Sequence, residues 1–226
     1  MKKKITTPVL EEELKKLRVR EIVYLSGDIY TARDKACQRI VEYTGTNSPG
    51  TGSEKEIPVP EGAVLYHCGP LIRRKSNGNG NGNVDGDWEI IAAGPTTSSR
   101  MEETSQEIIE KLRIRAIIGK GGMGVSTIAA MRKYGCVYLA MIGGAAVLAA
   151  RCIKPIKAVY WIDLGLAEAV WHLHVEDFGP LIVCIDTSGN SLYEEIAEEA
   201  RRKVLDLAQT YTHTDDENID TVYKNG

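Results

Sequence analysis

The sequence predicts an α/β fold of mixed sheet layers with flanking helices. Strand-like apolar runs alternate with amphipathic helix-like runs along the whole chain, several strands pass through short turns directly into helices, and no internal repeat is present. At 226 residues, with 43% hydrophobic and 26% charged positions, the chain is long enough to bury a substantial core. The expected organisation is one domain over residues 1–207, with a loop insert at about 75–87, and a polar tail over 208–226.

The opening arm reads as an extended entry, followed by a short polar helix around "EEELKKL". In "EIVYLSG", period-two alternation puts Val23 and Leu25 on one strand face. "TARDKACQRIVEY" follows as a helix, with Thr31 as the expected N-cap and Asp34 in the first turn, where a carboxylate suits the helix dipole. Residues 45–60 are rich in Gly, Pro and Ser and read as a loop, and "AVLYHCGPLI" reads as the next strand. "RRKSNGNGNGNVDGDWEIIAAG" has the pattern of a hairpin stretched by a Gly/Asn repeat. No register of it meets the calcium-loop requirement of Asp first, Gly sixth and Glu twelfth, so the Gly/Asn run at 77–83 is expected to be a solvated connection. "GPTTSSRMEETSQEIIEKL" gives a strand end, a turn and a helix with Ile108, Ile109 and Leu112 at helical spacing. Next come a strand, glycine loop and helix in "RAIIGKGGMGVSTIAAMRKYG", the apolar strand-like run "CVYLAMIGGAAVLAA", then mixed strands with a short helix. "NSLYEEIAEEARRKVLDLAQ" is the final amphipathic helix, and the tail beyond it is expected to fray.

The glycine loop spells G-x-G-x-x-G, which invites a nucleotide reading because glycines let the backbone approach an anion at a helix N-terminus. A dinucleotide site also needs an acidic residue about 20 positions on, yet no carboxylate occurs between Gly124 and Asp163. A phosphate loop needs Lys followed by Ser or Thr after its last glycine, whereas Lys120 lies between Gly119 and Gly121. Neither pattern completes. What remains is a turn suited to some other anion.

Bulk charge narrows the choice. With 28 basic and 31 acidic residues the net charge is -3, so there is no nucleic-acid footprint and any anion site is local. The five cysteines are widely spaced, form no C-x-x-C and fit reduced thiols, giving no self-contained metal site. Neither a leader nor a membrane-spanning run is visible, which leads to the expectation of a cytoplasmic protein without membrane association.

Three turns share a design. "YTARD", "GPTTSSR" and "IIGKGGMG" each follow a strand, open a helix and carry a cation or hydroxyls at the junction. In α/β folds such loops converge at the carboxyl ends of the strands. Arg33, Arg100 and Lys120, with the hydroxyls of Thr96 and Thr97, are therefore candidates for one pocket. Guanidinium forks and a lysine suit a small dicarboxylic acid. Taken singly, each Arg also fits a surface residue and Thr-Thr fits a helix cap. His67 and Cys68 are adjacent on a strand and point to opposite faces, which argues against a catalytic pair and for a buried thiol and a turn histidine. His172 and His174 share a strand face but lack a third ligand, which favours a structural role. Trp161 and Trp171 read as core or interface.

In their order along the chain, "YLSGDIYTARDKA", "LYHCGPLI", "AAGPTTSSRM", "IIGKGGMG" and "YGCVYLAMIGGAA" resemble the β subunit of two-subunit class I fumarate hydratases and the related L(+)-tartrate dehydratases, from about Leu10 to about Leu207. The resemblance implies a swivelling β/β/α domain that closes on a separate α subunit, and that subunit would hold a [4Fe-4S] cluster on its own cysteines. It assigns substrate-binding cations to Arg33, Arg100 and Lys120 and a catalytic threonine to Thr96. The implied reaction is reversible addition of water to fumarate, giving L-malate, in which cations stabilise the aci-carboxylate formed when the C3 proton leaves. Tartrate dehydration to oxaloacetate is the close alternative, and a nucleotide-binding module and a non-catalytic scaffold are the remaining ones. Cys37 stands where many relatives have His, and the Gly/Asn run is longer than the tight turn expected there.

Overall fold

The computed structural model describes residues 2–45, 56–75 and 88–223. Chain contacts divide it into a first unit, Met1–Asn190, and a second, Ser191–Gly226. In the first unit, β1 (Lys2–Thr6), α1 (Glu11–Leu14), β2 (Ile22–Thr31) and α2 (Asp34–Gly45) lead to β3 (Val64–Tyr66) and the hairpin β4 (Leu71–Arg74) and β5 (Trp88–Ala92). A 3-10 turn, Ser98–Met101, opens α3 (Glu102–Leu112), followed by β6 (Ala116–Gly119), α4 (Val125–Tyr134), β7 (Val137–Met141) and α5 (Ala146–Cys152). β8 (Ile153–Tyr160) and the long β9 (Val170–Ile185) complete it.

β2, β3, β6 and β7 are parallel neighbours in that order. β9 runs antiparallel to both β7 and β2, so the pairing closes on itself as β2-β3-β6-β7-β9-β2. β1 extends the first half of β2, and β8 extends β9. Alternation along β2 sends Val23, Leu25 and Ile29 into the core, where they meet Tyr66, Ile118, Leu139, Trp171, Leu173 and Phe178. β6 and β7 are buried at every position, as expected for strands covered on both faces. Their outer face is covered by helices, which bury Ile40 from α2, Ile108 and Ile109 from α3, and Ile128 and Met131 from α4. The α/β class therefore holds, and β4 and β5 pair antiparallel as the two arms of the expected hairpin.

Three local readings change. "AVLYHCGPLI" is two strands, β3 and β4, separated by Cys68, which bridges to Pro95. "CVYLAMIGGAAVLAA" is a strand and then a helix, because the chain turns at Gly143–Gly144, with Gly144 at φ 84°, before α5 begins. Thr31 does not cap α2. It is still paired in β2, and its hydroxyl donates to Ala169 O at 3.4 Å and accepts from Trp171 N at 3.0 Å, so the helix starts only at Asp34.

The Gly/Asn run at 77–83 and residues 46–55 of the earlier loop lie outside the described residues. The second unit consists of α6 (Leu192–Tyr223), which continues past Leu207 and carries the i,i+4 pairs Glu198–Arg202 and Glu199–Lys203. No helix among the described residues is long and apolar enough to cross a membrane.

Candidate functional site

Because β2, β3, β6 and β7 are parallel, their carboxyl ends share one pole of the sheet, and the three predicted turns meet there. The Thr96–Arg100 turn is tied down on both sides. Thr96 N donates to His67 O at 2.7 Å, Lys120 N donates to Thr96 O at 3.2 Å, and Ser98 N donates to Lys120 O at 3.0 Å. Below it the fully buried Ser98 hydroxyl accepts from the Tyr138 phenol at 3.0 Å and is hydrogen-bonded to His67 Nδ1 at 2.9 Å. Burial lowers the His67 pKa to about 4, so this ring is neutral. His67 is thus part of the frame beneath the turn, correcting its reading as a turn histidine.

The frame explains the glycines. A Cβ on Gly119 would lie 1.9 Å from Ser98 Oγ, so the first glycine of the loop makes room for a serine hydroxyl. Gly121 has φ 76°, where a side chain would be strained. The N-terminus of α4 already has its anion. The Glu102 carboxylate accepts from Gly124 N at 2.8 Å, Thr127 N at 3.2 Å and the Ser126 hydroxyl at 2.9 Å. Burial pushes the Glu102 carboxyl up, but these hydrogen bonds outweigh it and hold its pKa below the ordinary value. A carboxylate of the protein itself therefore fills the position a nucleotide phosphate would take.

Lys120 is left exposed at the edge of this frame, with its stem near the Gly143 backbone, and it pairs with no carboxylate among the described residues. Arg100 donates through Nε to Asp34 Oδ1 at 3.1 Å and through Nη2 to Asp34 Oδ2. Arg33 Nε lies 3.3 Å from the same Asp34 Oδ2 and 3.0 Å from Glu168 Oε1. Glu168 is itself fixed by accepting from Lys35 N at 3.0 Å. Gly69 leaves space for Arg33, since a Cβ there would come within 2.7 Å of Nη1. Burial pushes the Asp34 carboxyl up, yet its own backbone amide, the Arg100 charge and hydrogen bonds from both arginines leave it below the usual range.

Asp34 thus bridges two of the predicted cations. It uses two N–H groups of the Arg100 guanidinium and leaves three of its five donors for a ligand. The Arg100 side chain is 49% exposed, so those donors face outward. The hydroxyls of Thr96 and Thr97 make no hydrogen bond among the described residues, and Thr97 precedes its 3-10 turn without a side-chain cap. The capping alternative for this pair does not hold.

All five predicted residues therefore lie at one pole. Asp34, Glu168, Ser98 and Glu102 escaped the sequence reading as site components. Only the position of Asp34 in a first helical turn hinted at a role, and that hint pointed to the helix dipole.

The other candidates resolve structurally. Burial pushes the thiols of Cys37 and Cys68 up to about 12, far from nucleophilic. No group of three or more His, Cys, Asp or Glu side chains among the described residues could hold a metal ion. His172 and His174 do share a strand face, and both hydrogen-bond Asp28, at 3.1 and 2.6 Å, alongside Lys157 at 2.7 Å. Burial opposes ionisation of Asp28, but these three partners hold its pKa at about 2, as befits a structural ion cluster. Trp171 is core, and Trp161 packs against Tyr43 and under Arg39.

Residues 2–196, which include every one of these site residues, match the model of the family described as Fumarase C-terminus. The chain belongs to that family. It is 41% identical over 199 residues to a provisionally named L(+)-tartrate dehydratase subunit beta from Methanocaldococcus jannaschii, covering 87% of this chain and 94% of that one. To the L(+)-tartrate dehydratase subunit beta of Escherichia coli K12 it is 38% identical over 196 residues, covering 86% and 88%. A provisionally named class I fumarate hydratase from Geobacillus stearothermophilus is 39% identical over 201 residues, which is 88% of this chain but 35% of that longer protein. In this fumarase C-terminal fold the ends of β2, β3 and β6 bring the cations together.

Proposed function

We propose that this chain is the β subunit of a cytoplasmic hydro-lyase acting on a C4 dicarboxylate, with fumarate and L-malate as the first substrate pair. The observation that carries the reading is the convergence of Arg33, Thr96, Thr97, Arg100 and Lys120 on one pole in a member of the fumarase C-terminus family. Lys120 and the outward edge of Arg100 bind the substrate carboxylates, Arg33 and Asp34 orient that edge, and the two threonine hydroxyls face the bound acid. Fixed cations placed where negative charge develops on a carboxylate favour loss of the neighbouring proton. Thr96 is the residue proposed to handle that proton, its hydroxyl made more acidic by the cations beside it.

Lys120 and Arg100 are exposed, which suits completion of the site by another chain. Ile142, Val147 and Leu148, around the turn next to Lys120, are 55 to 61% exposed and offer an apolar rim to an α subunit. The cysteines and acidic residues described here do not fit a [4Fe-4S] cluster, so the cluster is assigned to that partner and no step is derived through it. The domain is proposed to be of the swivelling β/β/α kind, bounded near residue 207.

L(+)-tartrate dehydration is the second reading. It is favoured by the two relatives named as tartrate dehydratase β subunits, of whose lengths the chain spans 94% and 88%. The test is anaerobic co-purification with a cluster-bearing partner, followed by assays on L-malate, fumarate and both tartrate enantiomers. Turnover of either C4 acid only in the two-chain complex is expected. Turnover by this chain alone, or none with any of the four acids in a cluster-loaded complex, overturns the reading.

A further inference from the structure

At the opposite pole, below the amino ends of β6 and β7, lies a cavity of about 660 Å³. Lys15, Arg113, Arg115, Arg132 and Lys133 line it, facing two carboxylates, Glu11 and Glu61. In a chain of net charge -3 this is a concentration of positive charge. Cations at helix C-termini commonly answer the helix dipole, and α3 and α4 both end here. Glu110 adds a third carboxylate that acts on Arg113 and Lys133, and two helix ends supply about one unit of negative charge between them, so five cations still leave a surplus of about one.

Much of this charge is held in place by contacts other than direct ion pairs. Glu11 pairs with Lys15 at 2.8 Å and with Arg115 at 3.2 Å. Arg113, Arg132 and Lys133 make no ion pair among the described residues. Arg113 instead lies over the Tyr134 ring at 4.4 Å from its centroid, and Lys133 over the same ring at 4.8 Å. Tyr134 is anchored by donating to Glu110 at 2.7 Å. The stem of Arg132 is packed against Gly189, where a Cβ would come within 3.2 Å of its Cδ. Gly189 belongs to the Asp186–Asn190 turn, in which Asp186 Oδ1 accepts from Ser188 N and Asn190 N. The Glu110 carboxylate offsets part of the repulsion between the two cations that share this ring, and an anion in the cavity would offset more of it. The Thr187 and Ser188 hydroxyls on the same wall add hydrogen-bonding groups.

We propose that this cavity is a binding site for a phosphate-bearing small anion, separate from the dicarboxylate site. Its volume falls within the usual range for small-ligand sites, and planar guanidinium forks match phosphate oxygens in pairs. α3 and α4 leave the loops of the dicarboxylate site and end at this cavity, so each anion has its own end of the same two helices.

The test is calorimetric titration of the full-length chain at low ionic strength with sodium pyrophosphate and, separately, with ATP. Binding is expected, with an affinity that falls as salt rises. It should drop at least tenfold in Arg113→Ala/Arg132→Ala and in the single variant Lys133→Ala, each with its melting temperature checked, and stay within twofold in Lys120→Ala. Equal affinities would assign recognition to the phosphate chain alone, and tighter ATP binding would add the nucleoside; either result supports the site. Absence of binding, indifference to the cavity variants, or loss in Lys120→Ala overturns it.

Discussion

The two poles of the parallel strands both gather arginine and lysine, but they hold them by different means. At the carboxyl pole Asp34 and Glu168 clamp Arg33 and Arg100, and only Lys120 is left without a carboxylate. At the amino pole a tyrosine ring and a glycine turn position Arg113, Lys133 and Arg132. A carboxylate clamp fixes geometry at the expense of net charge, so it suits a ligand that must be oriented. A ring or a packed stem fixes position and leaves the charge intact, so it suits an anion recognised chiefly by its charge.

The largest effect that would sharpen this contrast is expected from Lys120→Ala in the enzyme reconstituted with its partner. Loss of an unshared cation from a closed site costs about 2 to 4 kcal/mol of transition-state stabilisation, or roughly 30- to 1000-fold in kcat/KM for L-malate. Arg100→Lys should fall in the lower half of that range, because lysine keeps the charge but cannot hold Asp34 and a substrate carboxylate on two edges at once. Near-normal kinetics in both variants, with subunit association intact, would move the dicarboxylate site elsewhere.

Gly119→Ala tests the frame itself. The added methyl meets the Ser98 hydroxyl, and overpacking of this kind costs about 1 to 3 kcal/mol, read by urea denaturation. Glu102→Gln removes the internal anion of α4 and should cost about 1 kcal/mol at neutral pH. Because the folded pKa of Glu102 lies below its unfolded value, its contribution is complete above the unfolded pKa and is lost as pH falls through the folded one. The stability gap between wild type and Glu102→Gln should therefore be constant near pH 7 and close on acidification toward pH 3. A gap that widens on acidification would contradict the assignment. The smallest effect is expected from Lys111→Ala on the last turn of α3, within about 0.5 kcal/mol and without change in rate.

What could be read from the sequence was what is local. Strand-to-helix turns, the spacing of Lys120 among its glycines and the alternation of β2 are properties of short windows, and the turns they mark meet at one pole of the sheet. What could not be read were partnerships across long separations. Nothing near Glu102 announces that its carboxylate will cap a helix beginning at Val125, and nothing near Gly119 announces Ser98. The Thr31 cap failed for the same reason: β2 keeps its pairing with β3 through that residue, and Trp171, far along the chain, takes its hydroxyl. The start of α5 was masked because an apolar strand and an apolar helix follow one another without a polar break.

The closed circuit of strands also fixes an order of events during synthesis. Ile22 and Val23 emerge early, but their antiparallel partners Ile182 and Leu181 lie almost at the end of the first unit. At ordinary translation rates the nascent chain waits on the order of ten seconds with that edge of β2 unpaired. The parallel neighbours can assemble in the meantime, yet β7 also lacks its outer partner until β9 appears. A ribosome that stalls or terminates before Ile185 releases a sheet with two open edges, each a template for pairing with another chain. For this fold the aggregation hazard therefore lies in truncated and half-made chains, and the arrival of a single strand removes it.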